Sequence, residues 1–463
     1  MDISPPDDGL QGLAPLEPRP IAGTMPNAAH QAAHGFMTGA PYELAIVEFD
    51  DQGRCYDRGQ MDGVAKRIDA LAPDPAQPGQ DVILVVFVHG WQHDARSDDE
   101  NLSAFRVLLS ETVDYERTRA SAGVAARPVL GVFVGWRGLS EFGLGCVIAD
   151  ATFWERQAAG QRVAVGSVRE LFGRLRHYRN RQKKNLGNPL LVIVGHSFGG
   201  MIVFSALAQS LIQAASAPAG GVTPEFADLV LLVNPAIEGA RFIPIYDLVT
   251  SPAFAARTTR QLPVFICAQA ENDQPVGTVF PLGSIGHAVT EATIGDLEKW
   301  CVTHALGFVP GFRTHALAGP TGNEPFVLTP PDTAQANPFW VVGAAKEVID
   351  GHGGIWQTPF LQFIASLVFQ HVQASKQGPS GGATTEAPSA PAQPSGNLAE
   401  FAKSIGPIKN AAALRQARKI TRASPSPRPT RPWRRSPTRA RSLRRPDSRP
   451  IGAGFRLRPQ ARR

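Results

Sequence analysis

Short unbroken apolar runs, rich in β-branched residues, recur along the chain at 42–50 (YELAIVEFD), 81–90 (DVILVVFVHG), 128–136 (PVLGVFVGW) and 189–197 (PLLVIVGHS). Three more follow at 229–236 (LVLLVNPA), 263–270 (PVFICAQA) and 338–345 (PFWVVGAA). Runs this short, apolar at nearly every position, predict strands buried on both faces. Between them the apolar spacing changes to a helical one. Residues 59–71 predict a short amphipathic helix, and Ser97-Asp-Asp-Glu100 reads as a capping box opening a helix with Leu102, Phe105 and Leu109 on one face. A longer helix is expected from Gln161 to His177, another after Gly200, and a last one over 359–372 (PFLQFIASLVFQHV). Buried strands alternating with helices predict an α/β fold, a mostly parallel central sheet with helices on both faces.

The two ends break this pattern. Residues 1–40 are rich in Pro, Gly, Ala and Asp without apolar periodicity, which predicts a disordered arm. Residues 376–463 pass from a Gly/Ser/Pro/Ala linker to an Arg/Pro/Ser tail, also expected to be disordered. The folded domain is thus expected over 41–375. Within it, 281–330 carries fewer strand signals and several aromatics.

The formal charge of +6 hides an asymmetry, since residues 402–463 hold 19 Lys and Arg against Asp447 alone, leaving 27 bases against 39 acids before them. Only the tail invites a polyanion, by charge, either nucleic acid or an anionic membrane; the plainer reading is a solvated extension. Cys55, Cys146, Cys267 and Cys301 show no paired spacing, so they read as reduced thiols filling the core. The start Met1-Asp-Ile-Ser-Pro-Pro lacks the basic and apolar segments of a secretory signal, and no run approaches the ~18 apolar residues of a membrane span. The expectation is a cytoplasmic protein. No P-loop, dinucleotide fingerprint or HExxH occurs, and neither a cofactor nor a metal is expected.

The candidate chemistry centres on Gly195-His196-Ser197-Phe198-Gly199, a G-x-S-x-G pattern with a buried strand before it and an apolar helix after it. Such a turn strains the central residue and brings its flanks close, so Gly195, Gly199 and Gly200 suit it. Ser197 would stand at the carboxyl edge of the sheet, beside a helix amino end whose N–H groups favour an oxyanion. The alternative is an ordinary glycine-rich connection. His196 reads as a packing residue with its side chain turned away from the reaction face.

With FVHGW (87–91) upstream, GHSFGG resembles the α/β-hydrolase superfamily of serine esterases and lipases, over roughly Tyr42 to Gln373. The resemblance implies an oxyanion hole from the Trp91 and Phe198 backbone N–H groups, supported by His89 and Gly90, with His89 bracing the loop. It also implies an acid and then a histidine after the serine. Asp273, at the end of PVFICAQA before a proline turn, is the leading acid; Glu271 and Glu238 are the alternatives. His352, in a glycine-rich loop between the last strand and last helix, is the leading base, with His287, His304 and His315 behind it. About 80 residues separate Asp273 from His352, so 281–330 is expected to hold an insert or lid carrying Trp300, Phe308 and Phe312. The stretch 136–157 could add to the pocket wall. The expected function is a cofactor-free serine hydrolase acting on a small-molecule ester through an acyl-enzyme. A non-catalytic binding module anchored by the basic tail is the alternative, and the same residues serve esters, thioesters, lipids and amides alike.

Overall fold

The computed structural model describes residues 42–71, 81–91, 93–96, 99–120, 126–137, 146–185, 187–217, 222–279, 296–332 and 335–376. The expected N-terminal arm and all of the tail after Lys376 lie outside them, as does His287. All seven expected strands form: β1 (Glu43–Phe49), β2 (Ile83–Val88), β3 (Val129–Trp136), β4 (Leu190–His196), β5 (Leu229–Val233), β6 (Phe265–Ala270) and, last in the chain, β9 (Phe339–Ala344). Two more, β7 (His315–Ala318) and β8 (Val327–Thr329), precede β9. One sheet contains them in the order β1-β3-β2-β4-β5-β6-β9-β7-β8, parallel throughout except for the β7–β8 pair.

Strand side chains alternate between two cores, as the period of two requires. Ala45, Val47, Leu191 and Ile193 join one cluster; Leu44, Ile46, Val192 and Val194 join the other. The first cluster is covered by α1 (Arg58–Leu71), α3 (Cys146–Val165), α4 (Val168–Lys184) and α5 (Phe198–Ala215). The second is covered by α2 (Glu100–Ala120) and, at the end of the domain, Thr358–Lys376. Helices therefore lie on both faces, which is why the strands are apolar at successive positions rather than alternate ones. Burying each Val, Leu or Ile removes about 1.5–3 kcal/mol worth of apolar surface from water. The helix α5 is long and apolar enough to cross a membrane, but 61% of it is buried inside this fold.

Three details depart from the sequence expectation. First, α2 is capped by Asp99, whose Oδ1 accepts the Asn101 and Leu102 N–H groups at 2.9 and 3.1 Å, so the cap lies two residues beyond Ser97. Second, the single helix expected over 161–177 is two, α3 and α4. A side chain on Gly166 would begin 2.1 Å from the Gly53 carbonyl oxygen, and the Ser167 N–H donates to that carbonyl at 2.7 Å, so the loop after β1 breaks the helix. Third, the segment expected as an insert supplies β7 and β8, with β7 hydrogen-bonded to β9 from His315↔Val342 to Leu317↔Ala344. Residues 315–329 therefore extend the sheet, and the four- and three-residue strands were too short to carry a pattern. Between β5 and β6 lie α6 (Ile243–Val249) and α7 (Pro252–Ala255); α8 (Asp296–Thr303) follows β6, and Thr358–Lys376 is α9.

Candidate active site

At the carboxyl end of β4 the chain turns into α5 within one residue. Ser197 is that residue, with φ 56° and ψ −120°, a backbone conformation that costs an L-residue about 1–3 kcal/mol. The turn is possible only because its neighbours lack side chains. A Cβ on Gly199 would lie 2.0 Å from the Val88 carbonyl oxygen, and one on Gly195 would lie 2.5 Å from the Gly199 carbonyl oxygen. Hydrogen bonds hold the turn to β5 and the loop after it, from the Ser197 N–H to the Val233 carbonyl and from the Ala236 N–H to the Ser197 carbonyl, both 3.1 Å.

Two side chains from distant loops meet the serine. His352 Nε2 accepts the Ser197 hydroxyl at 2.9 Å, and His352 Nδ1–H donates to Asp273 Oδ2 at 2.9 Å. The Asp273 carboxylate is fully buried and is further held by the Val276 N–H on Oδ1 (3.1 Å) and the Gln269 amide on Oδ2 (3.0 Å). These bonds fix the imidazole with its proton on Nδ1 and its lone pair toward Ser197. The other candidate acids point elsewhere. Glu271 pairs with Arg313 at 3.1 Å, and Glu238 takes Gln157 at 3.2 Å and Arg241 at 2.8 Å. So do the other candidate bases among the described residues: His304 stacks on Trp300 with centroids 3.9 Å apart, and His315 is buried on Trp340, bonded to Thr314 and Gln335. Comparison with protein-family models, curated proteins and solved structures yields no match. The chemistry of the site therefore stands on its geometry.

The loop after β2 lies directly against the serine, since a Cβ on Gly90 would stand 2.8 Å from Ser197 Cβ. His89 is fully buried beneath that loop. Its Nε2 accepts the Trp136 N–H at 3.1 Å, its Nδ1–H donates to the Gly90 carbonyl at 2.9 Å, and its own carbonyl accepts the Trp136 indole N–H at 2.9 Å. Burial lowers its pKa to about 4, so it is a neutral brace. Trp136 itself is buried against His89 and Phe198, which makes it core beneath the site rather than pocket wall. The residues 138–145 that follow lie outside the described ones, and α3 takes up the rest of that stretch. Phe312 is also core, packed on Phe242 and Tyr246, and Phe308 is partly buried under Gly277. Of the three aromatics expected on a lid, Trp300 alone is largely exposed, at 46%.

Three site residues escaped the sequence reading. His196, expected only to pack, does more than that: Nε2–H donates to the His352 carbonyl at 2.9 Å and the two rings lie 4.9 Å apart. Burial and the neighbouring His352 hold its pKa well below the ordinary histidine range. Asn234, with φ 47°, donates its amide to the same carbonyl at 2.8 Å and to that of Gly351 at 3.1 Å. Its Oδ1 accepts the Ala270 N–H at 2.8 Å, tying the histidine loop to β6. Gln269 then links Asn234 to Asp273. A signal existed for Gln269, a lone amide inside an otherwise apolar strand, because a buried amide needs partners. Among the described residues, no three His, Cys, Asp or Glu side chains converge to hold a metal ion. Cys55, Cys267 and Cys301 are buried free thiols, all with raised pKa from burial, which leaves them unreactive.

Proposed function

We propose that this chain is a serine hydrolase of the α/β-hydrolase type, a carboxylic-ester hydrolase working through an acyl-enzyme. The observation that carries the reading is the unbroken relay Ser197 Oγ, His352, Asp273, with both links 2.9 Å, on a serine held in a strained strand-to-helix turn. The order of the three along the chain and the crossover of β3 past β2 in the sheet agree with it.

In this reading Ser197 Oγ attacks the ester carbonyl carbon as its proton passes to His352 Nε2. Asp273 stabilises the imidazolium through Nδ1–H. The carbonyl oxygen, now an oxyanion, takes hydrogen bonds from the backbone N–H groups of Phe198, in the first turn of α5, and Trp91, after Gly90. Collapse expels the alcohol, which receives the proton from His352, and leaves an acyl group on Ser197. Water, losing a proton to His352, then attacks the acyl carbon; the second tetrahedral intermediate breaks its bond to Ser197 Oγ, which takes that proton back from His352, and the carboxylic acid released ionises in solution. Each proton taken is returned, so no cofactor is required.

A fluorophosphonate probe is expected to add one adduct mass, on Ser197, and 4-nitrophenyl acetate or butyrate to be hydrolysed. The Ser197→Ala protein is expected to show neither. An unlabelled wild-type chain that binds these esters without turning them over would instead identify a binding module.

A further inference from the structure

The loop after β2 carries a second histidine held by a carboxylate. His93, two residues beyond Trp91, donates from Nδ1–H to Asp99 Oδ2 at 3.0 Å, and the same oxygen accepts the Asp94 N–H at 3.3 Å. Asp99 is also the cap of α2, its Oδ1 taking the Asn101 and Leu102 N–H groups. One carboxylate, its side chain only 8% exposed, therefore ties the oxyanion loop to the start of a helix. Burial by itself would lower the His93 pKa. The bond to Asp99, with the fields of Asp99, Glu100 and Asp94, raises it instead, so the charged and stronger form of this bond persists to higher pH.

The same end of α2 reaches the histidine loop. Asn101 Oδ1 accepts the indole N–H of Trp356 at 3.2 Å, and Trp356 closes the short turn Gly354–Trp356 that follows His352. The indole also lies against Phe87 of β2, with ring centroids 5.3 Å apart. Asn101 is 4% exposed, and its Nδ2 is buried with no hydrogen-bond partner among the described residues. Packing alone would favour an apolar side chain there, since a buried amide left half satisfied is destabilising. What the amide supplies is the acceptor for Trp356. Two residues of one helix end thus hold, separately, the loop that bears the Trp91 N–H and the loop that bears His352.

We infer that the amino end of α2 is the support that sets the oxyanion donor and His352 relative to each other, with His93 and Trp356 as positioning residues. His93 acts through the Trp91 N–H, and Trp356 through the turn behind His352. The helix suits this role because Leu102, Phe105 and Leu109, all fully buried, fix it to the sheet, so both loops refer to one rigid element. Small displacements matter here, since reacting groups held about 1 Å out of place can lose 10²-fold in rate. The kinetic consequence rests on the hydrolase reading; the support itself does not.

Amide hydrogen exchange and ester kinetics on the full chain test it together. His93→Ala should speed exchange in the peptide 88–94 and leave 351–356 protected, and Trp356→Phe should do the reverse. Each is expected to lower kcat for 4-nitrophenyl butyrate about 10- to 100-fold with KM within about twofold, because a donor or base is displaced while substrate contacts remain. His93→Asn, whose amide N–H falls where Nδ1–H was, should restore both readouts. His93→Gln, whose amide sits one bond further out, should not, and it replaces His93→Ala if that variant fails to fold. The inference is overturned if exchange is unchanged in both loops, if His93→Asn and His93→Gln lose equally, or if KM rises with kcat untouched. A wild-type chain that turns over no ester overturns the hydrolase reading instead, and the exchange measurement then decides the support on its own.

Discussion

The carboxyl edge of the sheet and the α1–α4 face are both rich in polar groups, yet they are built on opposite terms. At the edge, Asp273 and Asn234 are fully buried, and each oxygen or amide that matters has one geometry open to it. On the α1–α4 face the ion-paired side chains are open to water, Arg58 at 51%, Glu170 at 36% and Asp69 at 66% exposure. A buried polar group that loses its partner keeps its full desolvation penalty, whereas an exposed one takes up water instead. The same kinds of contact therefore fix atoms in the first region and merely bias side chains in the second.

The sharpest break of that contrast is Asp273→Asn. It keeps the volume but gives His352 Nδ1 an amide that favours the wrong tautomer, and ester turnover is expected to fall about 10⁴-fold. Steady-state kinetics check it, and a loss below tenfold would detach Asp273 from the chemistry. Next is Gly90→Ala, whose new methyl would stand 2.8 Å from Ser197 Cβ and must push the Trp91 N–H out of place. A loss of roughly 10²–10³ in kcat with little change in KM is expected, as for one oxyanion donor.

Acid should expose the buried region first. Burial takes the pKa of His89 and of His315 down from 6.5 to about 4, while the unfolded chain titrates near 6.5. Between those values the unfolded state binds more protons, so the stability is whole above pH 6.5 and declines as the pH falls toward 4. The loss is on the order of 3 kcal/mol for each histidine. Thermal midpoints from pH 7 to pH 4 measure it, and His315→Gln should flatten the slope.

Asn234→Ala leaves the carbonyls of Gly351 and His352 and the Ala270 N–H without that partner, and about 1–3 kcal/mol of unfolding free energy is expected to go with it in urea titration. At the other extreme, Arg174→Ala removes two exposed ion pairs at once, to Asp62 and Glu170. The expected loss is no more than about 1 kcal/mol, and less in high salt. If Arg174→Ala proved as damaging as Asn234→Ala, the distinction between the two regions would fail.

Much of this was legible in the chain. The strands from 42 to 345 were readable because a strand covered on both faces must be apolar at nearly every position, a signal that needs no knowledge of its neighbours. Ser197 was readable for a similar reason: glycine on both sides of a serine between strand and helix reflects a local backbone demand. The break at Gly166 was not legible, since it depends on the Gly53 carbonyl, more than a hundred residues away. Nor were β7 and β8, whose few residues become strands only because β9 offers an open edge.

The sequence by itself determined the alternating strands and helices, the tight turn at Ser197 and the candidates for its partners, since local periodicity and local backbone geometry are written residue by residue. Tertiary structure alone decided among those candidates. Its place at a strand end before a proline turn put Asp273 ahead of Glu271 and Glu238, but only the placement of strand ends in the fold brings its carboxylate 2.9 Å from His352. It also decided what His196 and Asn234 do, because a hydrogen bond to the carbonyl of a residue more than a hundred positions away has no local signature.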